Sequence, residues 1–419
     1  MREGTLAGAM SASLDHVPEQ GDATAGLGVA IRRLRDPLLL GALPITWAVL
    51  AVALGYVPAW GVGFDFVGTL WEPARALLDG ESIYPEPVRE SIVIGNPAVY
   101  PPPAVLLAMP LALLPQTLAA WLWFGVLGAA VFIALRIVGV RDWRCHVLAL
   151  TSPVVVHGLT FGNITLLLVP AVAVAWRYRE HAWIAGIAVG AAVAIKLFVW
   201  PLVVWLLLTR RYRAAAWAVA SGATVLFGAW ALVGFDGLGD YPALLAALQD
   251  VYAIRSASLA TVASGIGASP GLAIAVCWFA SFVLLGAAAL LMRREDGDRR
   301  AFTVVVVACI VGTAIVWPNY ASLLFVPIAI TWPKVAPAWF FGYAIWIAGL
   351  VVPKATFVEP CCRPDDVPRM AWAWSHSDPL SWYAAGVMAV VLAVGLAVVL
   401  PRQQGNPPRT AVDALRHGG

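Results

Sequence analysis

GVGFDFVGTLWEPARALLDGESIYPEPVRESIVIGNPAVYPPP, residues 61–103, decides how the rest of this chain is read. It is the longest polar interruption in a sequence built mostly of apolar runs. Asp65, Glu72, Arg75, Asp79, Glu81, Glu86, Arg89 and Glu90 all fall within it. Two membrane spans can be joined by a few residues, whereas this connection takes about forty, and long connections more often carry function than fill space.

The sequence on either side is that of a membrane protein. Of 419 residues, 61% are hydrophobic and 12% charged, about half the charged share of a soluble domain. The net charge of +3 comes from short basic clusters between apolar runs, so it does not point to a nucleic-acid partner. A spanning helix needs about 20 apolar residues. The runs predict spans near 38–60, 117–139, 145–161, 163–177, 182–197, 198–209, 214–234, 270–292, 301–317, 320–333, 337–353 and 381–400. The expected fold class is therefore an all-α polytopic membrane protein with about 12 transmembrane helices. Residues 1–36 and 401–419 read as disordered cytoplasmic tails, and 37–400 as the membrane domain. The pair of runs around Lys196 reads either as two spans or as one broken helix. The run at 38–60 is too long for a signal-peptide core and stays attached as a first span.

Lys and Arg mark the cytoplasmic side. Arg75, Arg89, Lys196, Arg255, Lys354, Arg363 and Arg369 fall on one side, and the other 20 of the 27 basic residues fall on the opposite side. The loops at 61–103, 235–269 and 354–380 then face outward, and they hold 13 of the 24 acidic residues. Residues 103–115, bracketed by prolines and too short to span, read as an interfacial or re-entrant helix on that face.

Several side chains are candidates for chemistry, and each has a plainer reading beside it. Asp65, just past the first span and expected near the outer membrane surface, is either a general base for an acceptor hydroxyl or a solvated loop carboxylate. Glu72, Arg75 and Asp79 share one strip of an amphipathic helix, with Trp71, Ala74, Leu77 and Leu78 as its apolar strip. Glu72 and Arg75 are candidate substrate contacts, Arg75 toward a phosphate, and the alternative is a salt-bridged surface. Tyr100, before Pro101–Pro103, is a sugar platform or an interface anchor. His157 is an ionisable group inside an apolar run, a ligand contact or a histidine bonded to a neighbouring helix. Asn163 follows a tight break at Phe161–Gly162. Lys196, with Pro201 five residues on, either meets a lipid phosphate or snorkels to the interface. Trp317, Pro318, Asn319 and Tyr320 form another outer boundary, as do Ser256 and Ser258 in the 235–269 loop. Cys361 and Cys362 are adjacent, and no cysteine spacing makes a zinc site or a disulfide framework. No phosphate-cradling glycine loop or nucleotide fingerprint is visible, so neither a metal, a cofactor nor a cytosolic sugar nucleotide is expected.

In combination these pieces resemble glycosyltransferase family 87, over roughly residues 45–335. Asp65 follows the first span. LLDGESIY (Leu77 to Tyr84) is similar to the family's LL-x-G-x-x-x-Y stretch, and YPPPAVLLAMPLALLP (Tyr100 to Pro115) to its most recognisable element. Gly162 and Asn163 stand where the family usually has Gly-Gln. Lys196, Pro201 and RRYRA (Arg210 to Ala214) fit its K-x-x-P … RR-x-R-A pattern. The resemblance implies a GT-C-type fold and inverting transfer of a sugar, mannose above all, from a polyprenyl-phosphate donor to a glycolipid or cell-envelope glycan. In that reading Asp65 is the catalytic base and Lys196 or Arg75 holds the phosphate. The chain departs from mannosyltransferase members at Trp317-Pro318-Asn319-Tyr320, where a Ser-Pro … His is usual and Tyr320 has the histidine's place. It also lacks the usual Asn before Ser near Ser256 and Ser258. Both departures bear on the sugar and the acceptor. The rival readings are a lipid or solute transporter, which places its charges near the membrane midplane, and a non-catalytic family member that tolerates loss of Asp65.

Overall fold

The computed structural model describes residues 35–57, 61–84, 98–253, 256–294, 296–351 and 381–400. Both terminal tails, the 354–380 loop with Cys361 and Cys362, and Glu86, Arg89, Glu90 and Arg255 lie outside the described residues. Among the described residues every regular element is helical. α1 (Arg35–Gly55) is followed by α2 (residues 64–78), α3 (Pro102–Ala112) and α4 (Gln116–Ile137). Then come α5 (Trp143–Leu150), α6 (Pro153–Phe161), α7 (Thr165–Arg177), α8 (Ala182–Ile195), α9 (Pro201–Leu208) and α10 (Tyr212–Leu232). α11 (Tyr241–Tyr252) and α12 (Leu259–Gly265) fill the middle loop. α13 (Pro270–Leu291), α14 (Gly297–Val311), α15 (Phe325–Thr331), α16 (Phe341–Val351) and α17 (Ser381–Val399) complete the chain.

Five of these, α1, α4, α10, α13 and most of α17, are long and apolar enough to cross a membrane. Large apolar side chains stand exposed on them, including Leu232 at 76% and Phe279 at 70%. Exposure on that scale suits a hydrocarbon surround and not water. At the other expected positions stand helices shorter than a straight span needs. Proline accounts for several of the interruptions, because it starts a helix readily but cannot continue one. Pro153 begins α6 after a break from α5, Pro201 begins α9, and Pro318 and Pro337 open 3-10 turns ahead of α15 and α16.

α14 sits at the centre, with every residue from Ala301 to Val311 buried. A helix that is apolar all round belongs inside a bundle. α8 packs on α10 through GIAVG (Gly186 to Gly190), a small-x-x-x-small pattern that brings two backbones close. A Cβ on Gly186 would lie 2.4–2.5 Å from Trp217 and the Ala214 carbonyl, and one on Gly190 would lie 2.2 Å from Ser221. Higher residue numbers on α8 therefore meet higher numbers on α10, so the two helices are parallel. The intervening α9 must return, which makes the Lys196 region a reversal between two segments and not one broken helix.

The basic turns share one face of the bundle. Asp298 accepts from Arg179 at 3.1 Å, from Arg211 at 2.8 Å and from the Trp205 indole at 2.9 Å. Arg299 donates to Thr331 and to the Val398 carbonyl, while Arg144 reaches Asp36 at 2.8 Å. Asp142 accepts from Arg144 and from the Val335 backbone, and Arg144 first of all holds its carboxyl below the usual carboxylate range.

Candidate active site at a recessed polar chain

The first loop folds back into the bundle. Gly63 and Gly162 both have left-handed backbone, at φ +78° and +73°, and they face each other. The Gly63 amide donates to the Thr160 carbonyl at 2.7 Å, and the Trp123 indole donates to the Gly162 carbonyl at 2.8 Å. Phe66 stacks on Trp123 at 5.0 Å. This docking sets Asp65 beside the turn between α6 and α7. Trp123 lies seven residues into α4, so the turn is recessed by about 10 Å from the start of that helix. Glycines at both faces let the two backbones close at this depth, so Asp65, expected near the outer membrane surface, sits below the start of α4.

A continuous polar chain results. The Asn163 amide donates to Asp65 Oδ2 at 2.8 Å, and the Tyr100 hydroxyl donates to the same oxygen at 3.1 Å. Asn163 Oδ1 accepts from the Thr165 backbone at 3.0 Å and from its hydroxyl at 2.6 Å. Lys196 Nζ donates to Thr165 Oγ1 at 2.8 Å and lies 3.4 Å from Asn163 Oδ1. Lys196 is in extended backbone between α8 and a 3-10 turn at Leu197–Val199, which aims its side chain inward. The ammonium also sits over the rings of Tyr320 at 4.2 Å and Tyr100 at 4.9 Å, and Tyr320 stacks on Phe198. Cation–π contact offsets part of the cost of burying the charge.

Tyr84 explains the preceding motif. Its hydroxyl donates to the Tyr100 carbonyl at 2.8 Å, its ring stacks on Trp230, and Tyr241 donates to the Val99 carbonyl at 3.1 Å. Together they clamp the strand of chain that presents Tyr100. Burial raises the Tyr84 hydroxyl above its ordinary range, and Tyr241 beside it adds to the effect.

Of the predicted site residues, Asp65, Tyr100, Asn163, Lys196 and Tyr320 converge. Asn319, fully buried, lies beside the His157 ring, which stacks on Phe161 at 4.5 Å. His157 and Asn319 are neighbours outside the polar chain. Arg75 does not join: it pairs with Asp79 at 3.2 Å on an exposed surface. Glu72 is also apart. It lines a cleft of about 420 Å³ between α1, α2 and the start of α4, with Phe64, Gln116, Thr117 and Trp121, and partial burial raises its carboxyl. The apolar strip of α2 includes Phe66, Leu70 and the expected Ala74, with Trp71 and Leu77 packed beside them, while Leu78 is exposed. Ser256 and Ser258 are structural: Ser256 donates to the Ala314 carbonyl at 3.2 Å, and Ser258 caps α12. Thr165 was not singled out as a site residue. The signal available for it was its place three residues after Gly162, in a first helical turn where backbone amides lack partners.

No group of three or more metal-ligating side chains occurs among the described residues. A family model described as glycosyltransferase family 87 matches residues 98–318. No curated protein and no solved structure matches the chain. Tyr100, Asn163, Thr165 and Lys196 lie inside the matched segment and Asp65 before it, so Asp65 joins the site by geometry alone.

Proposed function

Because this chain belongs to glycosyltransferase family 87, we propose that it moves a sugar from a polyprenyl-phosphate donor to a hydroxyl of a glycolipid or cell-envelope glycan. The observation that carries this reading is the buried chain with a carboxylate at one end and an ammonium at the other. A lipid phosphate enters laterally from the bilayer and meets Lys196, with its sugar directed toward Asp65. The acceptor approaches by the cleft that Glu72, Gln116 and Trp121 line, whose mix of carboxylate, amide and indole suits a sugar ring. Asp65 takes the acceptor proton as the new C–O bond forms at the anomeric carbon. The opposite bond to phosphate breaks, the electron pair leaves with the phosphate, and Lys196 holds the charge. Attack opposite the leaving group inverts configuration, so a β-linked donor yields an α-linked product. Mannose is the sugar the family resemblance favours.

Orientation belongs to the same proposal. The Arg-rich face is cytoplasmic, and both tails lie there. The chain crosses twelve times, several crossings being short, and the recessed polar chain is reached from the outer face. The recess brings the site nearer the midplane than a transferase at the boundary requires, which narrows the distinction from a carrier. A long first loop folded onto the site favours the transferase.

The test is transfer of labelled mannose from polyprenyl-phosphate-mannose to a panel of lipid-linked acceptors in membranes, wild type against Asp65→Asn. Transfer by the wild type and a loss of about 10²–10⁴-fold in a normally expressed variant supports donor class and base together. Equal transfer by both removes Asp65 from the mechanism. No transfer from any polyprenyl-phosphate sugar brings the transporter forward.

A further inference from the structure

The polar chain contains two residues that do not obviously touch either substrate. Asn163 is 4% exposed and Thr165 is fully buried, yet they stand between the two charged groups. In a low-dielectric interior a lysine and a carboxylate gain most by direct contact. Here the Lys196 ammonium has a hydroxyl and an amide oxygen within hydrogen-bond reach instead. We propose that Asn163 and Thr165 form a spacer that holds Lys196 and Asp65 coupled but apart, leaving the cation for the donor phosphate and the carboxylate for the acceptor hydroxyl. This rests on the transferase reading above.

Hydrogen-bond polarity fixes the arrangement. Thr165 has one hydroxyl proton, and at 2.6 Å it goes to Asn163 Oδ1, so its lone pairs face Lys196 Nζ at 2.8 Å. Asn163 Oδ1 also receives the Thr165 backbone amide, which pins the side chain in an Asx-type turn. Its NH2 group therefore has to face Asp65, where it donates at 2.8 Å. Donors run in one direction, from lysine to threonine to asparagine to aspartate. The Thr165 hydroxyl proton and the Asn163 amide are both committed, so neither end can advance on the other without breaking a buried bond, which is costly. Among the described residues the other titratable groups facing Asp65 are Tyr100 and Tyr320, and Glu72 lies farther along its own helix. Neither tyrosine carries a positive charge that would substitute for Lys196. Thr165 is thus a positioning residue.

The experiment compares Thr165→Val, which keeps the shape and removes the hydroxyl, with Thr165→Ser, in the full chain in membranes. Without the hydroxyl, Lys196 loses its closest partner and relaxes toward the carboxylate. For Thr165→Val, kcat/KM for the polyprenyl-phosphate sugar is expected to fall by one to two orders of magnitude, the strength of a hydrogen bond to a charged group. KM for the acceptor should be unchanged. The acid limb of the rate profile should move to lower pH, because a nearer ammonium favours the carboxylate. Thr165→Ser should behave as wild type. Wild-type donor kinetics in Thr165→Val overturn the spacer, and so does equal damage to both substrates with an unmoved acid limb. A second measurement needs no turnover: the Asp65 carboxyl band, isolated by infrared difference against Asp65→Asn, is titrated in both backgrounds. A lower midpoint in Thr165→Val supports the spacer, and an identical one sinks it. Absence of sugar transfer by the wild type overturns the transferase reading alone, since the infrared titration still decides the spacer.

Discussion

Lys196 is 8% exposed and, among the described residues, has no carboxylate in hydrogen-bond reach, an arrangement that stability alone does not explain. A buried ammonium costs several kcal/mol of desolvation, and the rings of Tyr100, Tyr320 and Phe198 return only part of it, at about 0.5–2 kcal/mol for each cation–π contact. Lys196→Met is therefore expected to leave the unfolding temperature unchanged or higher, since methionine fills the volume and Thr165 still bonds Asn163. Sugar transfer should fall by about 10²–10³-fold, the usual cost of removing one group that meets developing charge. Thermal unfolding and initial rates on the same preparation check both halves. A large drop in unfolding temperature would make Lys196 a structural residue. Lys196→Arg should not rescue, because a planar guanidinium does not fit where a compact ammonium contacts one hydroxyl and two ring faces.

At the scale of elements, the site depends on two left-handed glycines meeting. A Cβ on Gly162 would come within 2.6 Å of Phe66 Cβ and 3.2 Å of Gly63 Cα. Gly162→Ala combines the left-handed strain of roughly 1–2 kcal/mol with a clash against the segment that carries Asp65. Unfolding temperature and transfer should fall together. Gly139→Ala is the control: its φ is +92° but its Cβ meets nothing within 4 Å, so it should cost stability and leave transfer intact. If both variants keep activity, the docking of the first loop is not what assembles the site. This level also shows what the sequence could reveal. Helix positions were legible because apolar runs and prolines set them, and a helix, α3, forms where an interfacial or re-entrant one is expected at 103–115. Asp65, Tyr100, Asn163 and Lys196 were legible as polar residues at breaks. Their connection was not, because it depends on the depth to which Gly63 and Gly162 let the loop descend. Thr165 was hidden for the same reason, and for Arg75 an exposed i,i+4 pair and a phosphate ligand look alike in sequence. On α2 the expected strip extends to Phe66 and Leu70 because its buried side faces α3, where the Trp71 indole donates to the Leu111 carbonyl at 3.2 Å.

At the scale of the whole molecule, sidedness is the remaining consequence to test, and the parallel packing of α8 and α10 makes it a sharp one. If each of α8, α9 and α10 crosses the membrane, the chain passes three times between Glu180 and Gly239, and an odd number puts those residues on opposite sides. Glu180 is 70% exposed at the Arg-rich face, and Gly239 has open space where a side chain would go. With the five native cysteines replaced, Gly239→Cys is expected to react with a membrane-impermeant thiol reagent in intact cells. Glu180→Cys should react only after permeabilisation. The reverse pattern would turn the polar chain toward the cytoplasm, and a donor displayed on the outer face would then have no route to Lys196. Labelling of both from one side would mean that α8, α9 and α10 do not cross as three, and the recessed site would have to be redrawn as a re-entrant pair. The expected pattern also bears on chemistry. A site reached from outside through about 10 Å of protein keeps bulk water from the anomeric carbon while a lipid phosphate enters sideways, which is how a transferase without bound nucleotide would favour a hydroxyl acceptor over hydrolysis.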